Sequence, residues 1–250
     1  MGACVPRPIH ALVAQPPDSL LVETFDTATG AYASVAGLEC PDIRDNVGAI
    51  AVDRAGIVYV ADYCPAAAIY RIDPATAACV QTPYRGPACI TQMAFASDPT
   101  SATGETLYYT SAHTLGAIDP ATSQGRTLAE LQGGANVSAT FSIGLAGGSD
   151  GALYAAVVAS GSGSGTEIDA VEPATGALTA RWKIAAYPTA SEASVVRKIA
   201  AVGSDFYLFD GSQIPGSGEA VRFSTADLSA TVIGDALEVI AVGANTCATD

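Results

Sequence analysis

Ile72-Asp73-Pro74-Ala75-Thr76 recurs outright as Ile118-Asp119-Pro120-Ala121-Thr122 and, with only the acid lengthened, as Val171-Glu172-Pro173-Ala174-Thr175-Gly176. Phe25-Asp26-Thr27-Ala28-Thr29-Gly30 is a looser copy, and Phe223-Ser224-Thr225-Ala226-Asp227 the loosest. Each reads as a hairpin: an apolar strand end, then a short polar side chain able to bond its own backbone. Proline follows where φ must lie near −65°. Five copies of one turn mark a repeat architecture.

Two further markers fall between the turns. Short strands rich in tyrosine appear at Ile57–Asp62, Leu107–Thr110, Leu153–Ala156 and Phe206–Asp210. Apolar strands running into an Asp or Asn turn appear at Ile50–Asp53, Met93–Phe95, Ile143–Leu145, Ile199–Val202 and Ile240–Val242. Each unit therefore holds four strands in order: an inner one, the tyrosine one, the one ending in the turn, and an outer one. Four antiparallel strands in such a period make a propeller blade.

The turn acids at 26, 73, 119 and 172 and their serine counterpart at 224 are spaced by 47, 46, 53 and 52 residues, and 26 residues remain at either end. The two remainders sum to one more blade. Glu238–Val242 supplies its inner strand, and His10–Ala14 the next. The expectation is an all-β, single-domain, five-bladed β-propeller over 1–250, with N- and C-terminal strands sharing one composite blade. Six blades are the alternative if further residues precede this sequence. The Gly/Ser run 160–165 falls between second and third strands of a blade and reads as a loop, not a linker.

Net charge is −14, with two lysines, Lys183 and Lys198. Such a field repels nucleic acid and anionic membranes. No apolar run is long enough to span a bilayer. Cys4, Cys40, Cys64, Cys79, Cys89 and Cys247 form no C-x-x-C pair, which disfavours zinc ribbons and thioredoxin chemistry. An even count reads as disulfides in an exported, periplasmic or extracellular protein. The expected pairs are Cys4–Cys247 across the composite blade, Cys40–Cys64 on one face, and Cys79–Cys89. Gly2-Ala3-Cys4 also resembles the end of a bacterial lipoprotein cleavage box, in which Cys4 would carry lipid instead. Abundant Ala and Gly with few lysines is the composition of a high-GC bacterial genome.

Gly48–Asp53 with Gly56–Asp62 resembles the repeat of NHL-type propellers, and Tyr70–Thr76 the turn of secreted bacterial propellers in that broad group. The resemblance implies architecture over nearly the whole chain and leaves chemistry open. In such folds ligands meet loops at one face of the central channel. Those loops hold Asp42, Arg44, Asp45, Asn46, Asp62, Tyr63, Ser111, His113, Asn136, Ser160, Glu192, Asp210 and Gln213. Distant likeness to gluconolactonase-like propellers implies a calcium site there, with Asp62, Asp210, Asn46 and Glu192 as oxygen ligands. Solvated loop acids are the competing reading.

No catalytic residue is assigned. His10 and His113 are the only histidines, and Gly161-Ser162-Gly163-Ser164-Gly165 has the letters of a nucleophile elbow without its helix. Five-bladed glycosidases share the blade number, but the acids here are scattered. Trp182 and the tyrosines read as inter-blade packing. The function favoured is a non-catalytic, monomeric binding or scaffold propeller taking a glycan or cell-envelope protein. A calcium-dependent hydrolase or lactonase is the alternative.

Overall fold

The computed structural model describes residues 8–15, 19–37, 40, 47–62, 67–86, 89–98, 100–101, 104–132, 143–158, 166–184, 197–210, 218–236 and 239–247. Their strands run β1 (Ile9–Gln15), β2 (Ser19–Phe25), β3 (Tyr32–Gly37); β4 (Val47–Val52), β5 (Val58–Asp62), β6 (Ala67–Asp73), β7 (Ala78–Gly86). Then follow β8 (Gln92–Ser97), β9 (Glu105–Ser111), β10 (Thr114–Ile118), β11 (Gly125–Glu130); and β12 (Gly144–Gly147), β13 (Leu153–Val158), β14 (Thr166–Glu172), β15 (Ala177–Ile184). The last are β16 (Arg197–Val202), β17 (Asp205–Asp210), β18 (Glu219–Ser224), β19 (Ala230–Asp235) and β20 (Val239–Gly243).

They form five four-stranded antiparallel sheets, four of them in unbroken chain order. The fifth has the order β20-β1-β2-β3, with His10 opposite Gly243 and Leu12 opposite Ala241. This is the composite blade expected from the two half-units, here the first blade; β4–β7, β8–β11, β12–β15 and β16–β19 are the second to fifth. Inner strands meet in the ring β20-β4-β8-β12-β16 and back to β20. The fold is a five-bladed β-propeller.

The turn motif behaves as its chemistry dictates. Asp26 Oδ1 accepts from the Ala28 and Thr29 amides, Asp73 Oδ1 from Ala75, and Asp119 Oδ1 from Ala121 and Thr122. Glu172 Oε1 reaches Ala174. These amide bonds hold the Asp26 carboxyl below the usual carboxylate range. Counting the acid, or Ser224, as the first turn position, the fifth has a positive φ in every copy: Gly30 70°, Ala77 56°, Ser123 57°, Gly176 71° and Leu228 59°. Left-handed backbone there turns the chain into its outer strand.

Blades pack through five apolar clusters, one at each inter-blade interface. Tyr59 meets Phe95 across the second–third contact at 5.1 Å, and Tyr154 meets Phe206 across the fourth–fifth at 5.1 Å. Trp182 lies 5.7 Å from Tyr154 and 5.4 Å from Phe206, in the inter-blade packing expected of it.

The cysteine pairing needs correction. Cys40 bonds Cys79, with Cα atoms 5.2 Å apart, so Cys40–Cys64 and Cys79–Cys89 do not form. Cys40 follows outer strand β3, and Cys79 sits in outer strand β7 opposite Ile72. Both pack in the cluster between the first and second blades, so the bridge ties Cys40, beyond the end of β3, to outer strand β7 of the next blade. Cys89 and Cys247 are also disulfide-bonded. Cys4 and Cys64 lie outside the described residues, and the Cys4–Cys247 closure with them.

Candidate functional site

Antiparallel strands alternate direction, so a four-stranded blade puts two of its connections on each face. The turns joining first to second and third to fourth strands share one face. The turns joining second to third strands, and the links between blades, share the other.

On the first of these faces the blades are bonded to one another. Arg54, in the β4–β5 turn, donates Nη2 to Ser97 Oγ at 2.5 Å and Nε to Thr246 Oγ1 at 3.2 Å. Its backbone amide donates to Glu105 Oε1 at 3.1 Å, and its Nε lies 3.5 Å from Glu105 Oε2. Thr246 Oγ1 donates to the same Oε2 at 3.4 Å. Burial holds the Glu105 carboxyl above its ordinary pKa, against the pull of the Arg54 amide and guanidinium. Ser97 N donates to Gly151 O, joining third to fourth blade, and Ser149 Oγ to Gly203 O, joining fourth to fifth. Asn245, Thr246 and Cys247 are buried as they leave β20. The chain's last described residues thus lie across this mouth of the channel.

Among the described residues the channel is nearly filled. Gly147 has no room for a Cβ, which would overlap the Phe95 carbonyl, and Gly243 lies against the backbone of Ala51. Ala51, Met93, Ala94, Leu145, Ala146, Gly147, Ile199, Ala200 and Gly243 leave a central space of about 10 Å³. That is at the lower limit for one water, and its walls offer apolar side chains.

The opposite face carries Asp62, His113 and Asp210, three of the residues selected from sequence. Asp42, Arg44, Asp45, Asn46, Tyr63, Asn136, Ser160, Glu192 and Gln213 lie outside the described residues. Asp62 ends β5, opposite Val47, and is half-buried. His113 is half-buried in the β9–β10 turn, after Ala112 at φ 53°. Asp210 ends β17 and is only 8% exposed. Asp62 and Asp210 stand on the second and fifth blades with the first between them, and His113 stands on the third.

Sequence reading left Lys198 unassigned, although it is one of two lysines. It is the second residue of inner strand β16, is 7% exposed, and has Asp210 as its opposite charge. Burial pushes its amine down to about 8, and Asp210 opposes that shift. A dication at Asp210 would share the carboxylate with this ammonium. Among the described residues no three His, Cys, Asp or Glu side chains gather to hold a metal. Of the four calcium ligands expected from sequence, Asn46 and Glu192 lie outside the described residues.

No known family model matches the chain, and no curated protein does. Solved structures do. TolB from Acinetobacter baumannii superposes with TM-score 0.52 at 12% identity, over 94% of this chain and 54% of its own. A Bacteroides thetaiotaomicron protein of unknown function gives 0.54 at 15%, over 94% and 59%. An engineered GH43 glycoside hydrolase with endo-xylanase and exo-arabinofuranosidase activity gives 0.52 at 10%, over 76% and 42%. The chain thus spans little more than half the length of the first two. At such identities the likeness is one of fold.

Proposed function

We propose that the chain is a non-catalytic binding or scaffold propeller of the bacterial periplasm or cell surface. It receives a glycan or envelope protein on the face that carries the inter-blade links. The observation behind this reading is the sealed axis. One mouth is crossed by Thr246 over Arg54 and Glu105, and the space behind it is about 10 Å³. Among the described residues the axis offers a substrate no more than this space, which favours recognition by the loops of the other face. The Cys40–Cys79 bridge fits an oxidising compartment, as export requires. Among the described residues no helix is long and apolar enough to cross a membrane.

The test combines thermal unfolding with a panel of envelope glycans, in calcium and in EDTA, with metal analysis of the purified protein. A ligand that binds the native state must raise its apparent stability. The expected result is a glycan- or protein-dependent shift, weakened by Asp62→Asn or His113→Ala and unaffected by Ser149→Ala on the sealed face. A calcium-dependent rise with about one equivalent bound, together with turnover of lactones or phosphoesters, would replace this reading with the hydrolase.

A further inference from the structure

Asp169 is 0% exposed, and neither carboxylate oxygen has a hydrogen-bond partner. It lies in the middle of β14, opposite Ala155 of β13 and Ala180 of β15. Ile168 belongs to the cluster shared with the fifth blade, and Ala170 packs against it. Val171 belongs to the cluster shared with the third blade. Alternation along a strand puts Asp169 on the Val171 side, toward the third blade. There it joins a cluster built from Leu115, Leu131, Val157, Val171 and Leu178. An ionised carboxylate without partners is among the costliest groups to bury, whereas the neutral acid is tolerated far better.

We propose that Asp169 is a proton-binding site that locks the third and fourth blades together: the interface closes on the neutral acid and opens more readily once the group ionises.

The surroundings bear this out. On its own strand the nearest ionisable group is Glu167, a like charge, paired 3.7 Å away with Lys183 of β15. From β13 the register partner is Ala155, and Arg181 in the β15 bulge is exposed. In the third blade Tyr108 is the ionisable member of the shared cluster. At its edge lie Glu130, whose carbonyl meets Gly176, and His113, whose carbonyl accepts from the Leu131 amide. None of these is bonded to Asp169. Burial first, and Glu167 second, push its carboxyl from 3.8 up to about 6. Both states are protonated below about pH 4, so the lock is then fully present. Stability is lost as pH rises through 6.

The same interface supplies a local readout. Gln132 N donates to Gly176 O, and Leu178 N donates to Gln132 O, so both amides report on the contact between third and fourth blades. Hydrogen exchange of these amides in the full chain, corrected for intrinsic rates, should show an opening constant rising roughly a hundredfold between pH 4 and pH 7. Amides of the β1–β2 pair should lack that rise. Asp169→Asn should hold opening low and flat over the same range. A flat wild-type profile, or the same rise in Asp169→Asn, would overturn the proposal. Should the variant not fold, carboxyl-carbon titration of the wild type decides. One aspartate must titrate about two units above an ordinary one, and its absence refutes the site.

Discussion

The turn motif makes a demand at its fifth position that can be measured. Gly30 has φ +70°, and a Cβ there would overlap the carbonyl oxygen of Ile233, at the end of the fifth blade's outer strand. Gly234 faces it in turn, with the Gly30 carbonyl 2.9 Å from where its own Cβ would stand. Two effects therefore add in Gly30→Ala. Left-handed backbone costs an L-residue roughly 1–2 kcal/mol. Forcing apart two backbones across a packed interface costs a further ~1–3 kcal/mol. Gly104→Ala isolates the first effect: φ there is +77°, and the only near neighbour is Arg54 Nη1 at 3.7 Å, an ordinary contact. In a domain of this size 1 kcal/mol moves Tm by about 2–4 °C. Gly104→Ala should thus lower Tm by roughly 3–5 °C, and Gly30→Ala by about 10 °C. Differential scanning calorimetry of the two variants beside wild type is the assay. Equal losses would refute the backbone latch between fifth and first blades.

Two other outcomes follow from the same geometry. Leu228 holds the fifth turn position at φ 59° with its side chain 65% exposed, so Leu228→Gly removes the left-handed penalty without losing packing. After glycine's extra chain entropy the variant should be about 0.5–1 kcal/mol more stable by urea titration, and a loss would contradict this account. The Cys40–Cys79 bridge closes a loop of sequence separation 39, worth roughly 4 kcal/mol in the chain-entropy model. Cys40→Ser with Cys79→Ser should lower Tm by about 10 °C. In the double variant, non-reducing peptide mapping should show Cys89 and Cys247 still oxidised; new pairings there would show that this bridge directs the others.

What was legible in the sequence was what the backbone decides locally. Asp73 and Asp119 bond amides two residues on, and Pro74 and Pro120 set their turns, so strand count, blade order and the composite blade could be counted from spacing. The cysteine partners could not. Cys79 stands directly after a turn, in a strand whose facing neighbour belongs to another blade, and only the ring brings Cys40 to it. Arg54 and Glu105 are 51 residues apart and meet for the same reason. Asp169 escaped notice because Thr166-Glu167-Ile168-Asp169 alternates as a strand with one polar face should. Its face became buried because a third blade covers it, which no local pattern encodes. Among the selected loop residues the structure positions Asp62, His113 and Asp210 on three different blades, and it adds Lys198 beside the last.

Ring closure and the sealing of one face are a single event in this chain. β20 pairs with β1 to complete the first blade, and three residues later Thr246 bonds Arg54 of the second blade and Glu105 of the third. Glu105 is nearly buried and its carboxyl is raised by desolvation, a shift that the Arg54 and Thr246 donors oppose. Closure by the last strand therefore satisfies a polar group two blades away as well as its own sheet edge. Glycine stands where inner-strand backbones come closest, at Gly147 and Gly243, and among the described residues the side chains between them leave only about 10 Å³ at the axis. The Ala- and Gly-rich inner strands thus encode a packing constraint that ring closure completes: the same last strand that pairs with β1 ties the second and third blades together through Thr246.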